Sequence, residues 1–586
     1  MTCRNGGFSI LLSLSMAATA WAAEPALNWD TFSDTWVATD ALGRSLPTHE
    51  QTGPARDNRT VGIFYFLWLG THGKTLYDNT TILRANPTDP QYGPKGAFHF
   101  WGEPAFGYYL SDDEAVMRKH VQMLADAGID VLIFDVTNGF TYDEVFLKLC
   151  GVLAAMRRDG MRTPQISFIA HSSEGQVARR LYDKFYSKGL HSDLWFRWKG
   201  KPLILAKPDA LTPELRAFFT VRESWAWTKG HQWFADGKDK WPWLDNHPQT
   251  FGWHESAQKP EHISVNVAQH PVSNIGRSFH DGKQPPPGQT TTESGLCFDE
   301  QWRQALKVDP EFVFLTGWNE WVAQRFISDK GGQTFLGKPL PPGGTFFVDQ
   351  YNQEFSRDVE PMKGGHGDNY LYQMIANVRR YKGTRSLPPV TPRPITIDGR
   401  FDDWKEAGPE FRDTIGDPMR RDNPGWTGGG PYVNRSGRND IVAAKVSHDS
   451  RNLLFYVRTR EPLTSCDGTN WMLLFLNTDS NPTNGWLGYD FVVNRSSVSA
   501  RGTTLEKHQG DGYRWGQPVS IGCRLVGNEL ELAIPRAALG LSEAAATVDF
   551  KWADNILQTG DWSDFMLSGD AAPNDRFNYR ARLASP

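Results

Sequence analysis

Three short runs in the sequence end in groups that carry acid–base chemistry. VLIFDVTNG sets Asp135 and Asn138 behind an apolar run, GWNEW gathers Trp318, Asn319, Glu320 and Trp321, and GWHES gathers Trp253, His254 and Glu255. Carboxyls beside tryptophans suit glycoside cleavage: one protonates the departing oxygen, and a second activates water or attacks the anomeric carbon. Flat aromatic faces take the C–H surface of the sugar. Glu320 is the first choice, because burial between Trp318 and Trp321 would raise its pKa or hold it in place. Asp135 is the expected partner and Glu255 its substitute, with Glu174 and Glu223 behind them. The plain alternatives are an ion pair at the rim for Glu320 and a loop cap for Asp135.

The same strand ends supply groups for holding a sugar. Tyr65, Trp68, Asn138, His171, Lys207, Trp253, His254, His270, Trp318, Asn319 and Trp321 are the expected substrate-binding residues. Three histidines near one rim raise a metal site, but no local spacing forms a chelating pair, and no cofactor is expected for catalysis. HExxH, GxSxG, a P-loop and a GxGxxG after a strand are all missing, which removes the commonest zinc peptidase, serine hydrolase and nucleotide readings.

Positioning such residues requires strands that end together. Eight runs read as strands: VGIFYFLW from Val61, DVLIFDV from Asp130, QISFIA from Gln165, KPLILA from Lys201, FFTVRES from Phe218, TFGWHES from Thr250, ISVNVAQH from Ile263 and EFVFLTGWNEW from Glu311. Amphipathic stretches alternate with them. The helix from Asp112 is expected to be capped by Ser111 and stopped at Gly128. Eight such repeats close most economically as a (β/α)8 TIM barrel over residues 61–383, whose C-terminal rim collects the strand ends. Long loops after strands one, seven and eight, rich in Gly, Pro and aromatics, would project from that rim.

Residues 384–393 form a Pro-rich linker. Beyond it, NLLFYVRTR, WMLLFLNT, YDFVVNR and NELELAIPR are short, alternating and separated by turn residues, so 394–586 reads as an antiparallel β-sandwich. Upstream, Arg4, an apolar run to Ala20 and the small-x-small Ala20-Trp21-Ala22 read as a signal peptide over residues 1–22, cleaved near Ala22. Residues 23–60 are then an N-terminal extension, and the mature chain is expected to be secreted or periplasmic, with no membrane span.

The chain has 586 residues, with 62 Lys and Arg against 67 Asp and Glu, a net charge of −5. That leaves no positive excess for a phosphate backbone, so nucleic acid is not an expected partner; a polysaccharide or oligosaccharide is. The 23 Trp outnumber the 17 Tyr, consistent with stacking on ligands or with extra core. In an oxidising compartment Cys466 and Cys523 could pair, while Cys150 and Cys297 read equally well as buried thiols.

The LIFDVTNG strand, preceded by a helix ending ADAGID, and the late GWNEW strand resemble the family 99 and family 71 glycoside hydrolases. The resemblance implies a TIM barrel that hydrolyses α-linked polysaccharides, α-mannans internally in family 99 and α-1,3-glucans in family 71. In family 99 the late strand carries Asn-Glu-Trp-x-Glu, whose two glutamates are the catalytic pair. Glu320 matches the first; the second position holds Ala323. Either the second carboxylate comes from elsewhere, with Asp135 or Glu255 the candidates, or the mechanism differs, or the barrel only binds sugar.

ITIDGRFDDW from Ile395 and NTDSNPTNGWLGYDFVVN from Asn477 are similar to the opening strand and central hairpin of family 9 carbohydrate-binding modules. Some members bind calcium, which makes Asp479 and Asp490 candidate ligands, with turn formation as the alternative. Trp426, Trp471, Trp486 and Trp515 are candidate sugar platforms or sandwich core. The expected function is a secreted glycoside hydrolase. A non-catalytic glycan-binding protein and a polysaccharide lyase are the alternatives.

Overall fold

The computed structural model describes residues 29–584 except Lys74, Met419 and 543–545, so the expected leader lies outside the described residues. The N-terminal half is mixed α/β, built around one curled sheet. Its strands are β1 (Thr60–Tyr65), β2 (Val131–Val136), β3 (Gln165–Ala170), β4 (Lys201–Leu205), β5 (Thr220–Arg222), β6 (Gly252–Trp253), β7 (Pro260–Asn266) and β8 (Phe312–Trp318). They pair in the order β5-β4-β3-β2-β1-β8-β7-β6, parallel except for β6 on β7, and the two-residue strand Arg197–Trp198 adds an antiparallel partner to β4.

Period-two alternation divides each strand between two cores. Phe64, Val131, Ile133, Leu203, Phe312 and Phe314 pack inside the curl. Val61, Ile63, Leu132, Phe134 and Val136 pack outward against the helices. Gly62 makes room for the inner layer, since a Cβ there would meet the Phe312 ring at 2.5 Å. Asp135 shares the inner face of β2 with Val131 and Ile133.

The sixth position corrects the sequence reading. TFGWHES yields only the two-residue antiparallel β6, and its place in the curl is taken by residues 240–244, which bond β5's continuation through Trp241 N to the Glu223 carbonyl (2.8 Å) and Trp243 N to the Trp225 carbonyl (3.1 Å). Pro242 removes a ladder donor, which is why this segment does not read as a strand. Side chains span the remaining seam to β7: Trp241 Nε1 donates to Glu261 (2.8 Å), and the Asp245 amide to Asn266 Oδ1 (3.4 Å).

Helix α1 (Glu114–Asp126) connects β1 to β2. Its cap is Asp113, which accepts from the Val116 amide, while Ser111 Oγ accepts the Leu69 amide instead. Helix α2 (Asp143–Arg158) follows β2, α3 (Leu296–Val308) precedes β8, and α4 (Asn369–Lys382) follows the loop after β8. That last loop is not irregular throughout: Val322–Ser328 pairs with Phe98–Phe100 from the loop after β1 and with Gly344–Phe347. The two loops thereby brace each other above the strand ends.

The C-terminal half is an antiparallel sheet of β9 (Glu410–Arg412), β10 (Ile441–His448), β11 (Asn452–Thr459), β12 (Leu473–Asn477), β13 (Phe491–Ser499), β14 (Gly502–Lys507), β15 (Val519–Val526), β16 (Glu529–Pro535), β17 (Ala546–Asp554), β18 (Asp570–Ala572) and β19 (Tyr579–Leu583), folded over a shared core. It packs on the N-terminal half through bridges Val37–Asn578 and Thr75–Thr427 and the ion pair Arg421–Asp113 (2.7 Å). Trp426 lies buried edge-on to Phe100 at 5.0 Å; Trp471 and Trp486 are also core, and Trp515 packs half-buried beside them, so three of the four candidate platforms are closed to a sugar. Cys150, Cys297, Cys466 and Cys523 are free thiols. Among the described residues, no helix is long and apolar enough to cross a membrane.

Candidate active site

Asp135 sits at the inner C-terminal end of β2, almost wholly buried. Its Oδ1 accepts from the Thr137 amide (3.0 Å) and hydroxyl (2.7 Å), and its Oδ2 from Trp68 Nε1 (3.2 Å). Burial raises its pKa above the ordinary carboxyl value, and the nearby Asp349 charge adds to the rise, against the pull of those three donors. Trp68 continues the inner face of β1 beyond Phe64 and Phe66.

An aromatic wall extends from Trp68. Phe98 stands edge-on to it at 5.6 Å, and His72 lies 5.6 Å away. The Tyr142 hydroxyl links His72 Nε2 (3.0 Å) with Asn138 Nδ2 (2.6 Å), and Phe140 beside them is 58% exposed. Exposed aromatic edges over a buried acid make a surface that can hold an amphipathic ring.

Glu320 follows β8 and is buried. Both its oxygens accept from Arg357, at 2.7 and 2.8 Å, and Oε2 also accepts from Gln350 Nε2 at 2.6 Å. Burial pushes the carboxyl upward, with Asp349 and Asp358 adding to this and Arg357 opposing it. Every side chain in bonding distance is a donor, an arrangement that suits a carboxylate. Arg357 is itself buried, lies over the Trp243 ring at 5.3 Å, and reaches Asp349 Oδ1 at 3.4 Å. The Asp349 side chain is half exposed. It is thus Asp349, rather than Glu320, that presents a carboxylate to the open side.

His270 lies near the same Arg357 and Asp349. Burial, reinforced by Arg357, lowers its pKa to about 4, so the ring is neutral. Its Nδ1 accepts the Ser273 amide (2.9 Å), which assigns the proton to Nε2. On the β3 side, His171 stacks on Trp225 at 3.4 Å and burial lowers its pKa; Glu174 accepts the Lys207 amide at 2.8 Å, and the Lys207 side chain is exposed at the rim.

Seven sequence expectations are corrected. Tyr65 faces outward, where its hydroxyl bonds His120 Nδ1 (3.0 Å) within a buried chain that continues to Glu360. Trp318 packs on that same outer side, edge-on to His120, because the β1–β8 register slips between Ile63 and Tyr65 and turns the end of β8 over. Trp321 stacks on Trp101 at 4.3 Å and donates to Glu360 (2.5 Å). Asn319 is spent on the backbone of Phe66, accepting its amide (2.8 Å) and donating to its carbonyl (2.9 Å). Trp253, His254 and Glu255 lie at the opposite, N-terminal end of the sheet, because β6 runs antiparallel. Glu255 there joins Lys259 (2.9 Å) and Lys199 (4.0 Å), which pair with Glu311 just before β8; His254 bonds Asp239 (2.5 Å) and Trp253 the Asp236 carbonyl (2.9 Å).

The mouth thus brings together Trp68, Asp135, Asn138, His171, Lys207, His270 and Glu320, and adds Asp349, Arg357, Gln350, Tyr142 and Trp225. Asp349 and Arg357 belong to the long loop after β8, where no periodicity marks them. In the C-terminal half, Asp490 accepts the Thr478 amide across the hairpin (2.7 Å), and Asp479 accepts the Asn481 amide (2.8 Å) and Asn484 Nδ2 (2.6 Å).

No protein-family model matches the chain, and no curated protein matches its sequence. Among solved structures, the GH99 endo-alpha-mannosidase from Bacteroides thetaiotaomicron is similar at a TM-score of 0.33 and 14% identity, covering 56% of this chain and 98% of that one. The same enzyme in complex with BIS-TRIS-propane gives a TM-score of 0.32 at the same identity and coverage. At 14% identity no residue correspondence is carried over.

Proposed function

We propose that this protein is an exported glycoside hydrolase acting on a polysaccharide or oligosaccharide at the C-terminal mouth of a (β/α)8-type barrel completed through residues 240–244. The observation that carries the reading is the pairing of two unlike carboxyls. Asp135 is buried, raised and held by Trp68 and Thr137; Asp349 is half exposed and close enough to act on it electrostatically. Asp135 is the general acid that protonates the departing glycosidic oxygen. Asp349, beside the Arg357 guanidinium, is the base or nucleophile. Glu320 works through Arg357 and positions it. Neutral His270 offers Nε2–H to a sugar hydroxyl, and the Trp68–Phe98–Tyr142 wall takes the ring face.

Digestion of a glycan panel tests this, with α-mannans and α-1,3-glucans first, as the sequence resemblance implies. New reducing ends support hydrolysis. Unsaturated ends absorbing in the ultraviolet would identify a lyase.

A second reading is a glycan-binding protein without turnover. It is favoured by the Glu320–Arg357 ion pair together with Ala323, which leave the GWNEW segment with no free carboxyl. Sugar binding with no product after prolonged incubation would establish it.

A further inference from the structure

Where α1 packs against the C-terminal sheet, three carboxylates converge in the interior. Asp413 follows β9, Asp417 lies four residues on, and Asp570 opens β18; one oxygen from each lies within 4.8 Å of the others. All three are more than nine-tenths buried. Asp570 has both oxygens anchored by amides, with Oδ2 accepting from Ile441 N (2.6 Å) and Oδ1 from Ala571 N (2.8 Å).

The other two are not satisfied. Asp413 has Asn574 Nδ2 at 3.4 Å and the adjoining Thr414 amide on its side but no partner on Oδ2. Asp417, 6% exposed, meets only its own amide and the Asp570 carboxyl, with no hydrogen-bond donor from outside the cluster on either oxygen. Compensating charge is scarce. The Lys119 ammonium, from α1, stops 3.9 Å from Asp417, and the Lys551 ammonium is turned to the Pro573 carbonyl. Asp575 and Asp126 add further buried acids beside Lys119 and Gln122, and Asp575 Oδ1 and Gln122 Oε1 are unpartnered too. Unpartnered buried carboxylates are costly, each losing hydration without a donor in exchange.

We propose that Asp413, Asp417 and Asp570 bind one calcium ion, which ties β9 and β18 together beneath α1. The donors are all oxygen, with no His or Cys, which selects a hard cation. Two oxygens on one Ca2+ at ~2.3–2.6 Å stand up to about 5 Å apart, so the observed spacing fits, and the ion's tolerance of irregular, many-oxygen shells suits carboxylates from separate segments. This site is distinct from the Asp479–Asp490 hairpin, whose acids are already engaged by donors within it, and it lies away from the mouth.

The test is calorimetric titration of the full chain with CaCl2 after chelator treatment, paired with thermal melts. One equivalent of Ca2+ should bind, and saturation should raise the melting temperature by several degrees. Asp417→Asn should abolish both responses while its metal-free form melts at or above the metal-free wild type, since one repelling charge is gone. Asp570→Asn gives a second reading should Asp417→Asn misfold, and Asp490→Asn should bind as wild type does. No binding and no melting shift at millimolar Ca2+ would overturn the proposal. So would binding lost in Asp490→Asn but kept in Asp417→Asn.

Discussion

The Arg357 guanidinium holds both oxygens of Glu320, at 2.7 and 2.8 Å, and reaches Asp349 at 3.4 Å. A buried strand-end glutamate and a half-exposed loop aspartate thus share one cation. Through it, the rigid sheet places a carboxylate that the loop alone would leave mobile.

Removing one member of the buried pair strands the other's charge, at a cost of about 3–5 kcal/mol. Arg357→Met should therefore lower the melting temperature strongly, and Glu320→Gln less so, because Gln keeps one acceptor for Arg357. The double variant Glu320→Gln/Arg357→Met should melt above Arg357→Met alone. Additive losses in such a double-mutant cycle would mean the two residues act independently.

Burial raises Asp135 above its ordinary value, so its acid form, and with it the rate, should persist to a higher pH than a solvated aspartic acid would allow before an alkaline decline. Trp68 Nε1–H lowers the Asp135 pKa, so Trp68→Phe should move the alkaline limb upward. The Asp349 charge raises it, so Asp349→Asn should move Asp135 downward. Carbon-13 titration of the Asp135 carboxyl reads both shifts without relying on turnover; shifts of the same sign would contradict the arrangement.

Glu255 is 56% exposed in its side chain and sits among lysines at the far end of the sheet. Glu255→Gln should leave kcat and KM at wild-type values. A loss of tenfold or more would return it to the mouth and overturn the placement of β6.

The strands were legible where alternation or an apolar run coincided with a flanking turn, as at Val61, Asp130, Lys201 and Glu311, and Asp135 could be aimed inward from its spacing with Val131 and Ile133. Facing at the end of β8 was not legible, because a register slip against β1 inverts Trp318, and nothing in GWNEW announces a slip that depends on a partner strand. Residues 240–244 were hidden by Pro242, and their absence pushed the sixth strand onto GWHES, which carried Trp253, His254 and Glu255 to the wrong end. Asp349 and Arg357 act through contacts between a loop and a strand end about 30 residues earlier, a relation no local pattern encodes.

The most direct measurement of the central claim is the rate of reducing-end release from a cleaved glycan by the wild type, Asp135→Asn and Asp349→Asn. Asparagine keeps the oxygen that accepts from both Thr137 groups and gives up only the bond from Trp68 Nε1–H, so the fold should hold, and each variant should fall by about 10²–10⁴ in kcat. Wild-type turnover in Asp135→Asn, with its fold verified by the melting profile, would contradict the account.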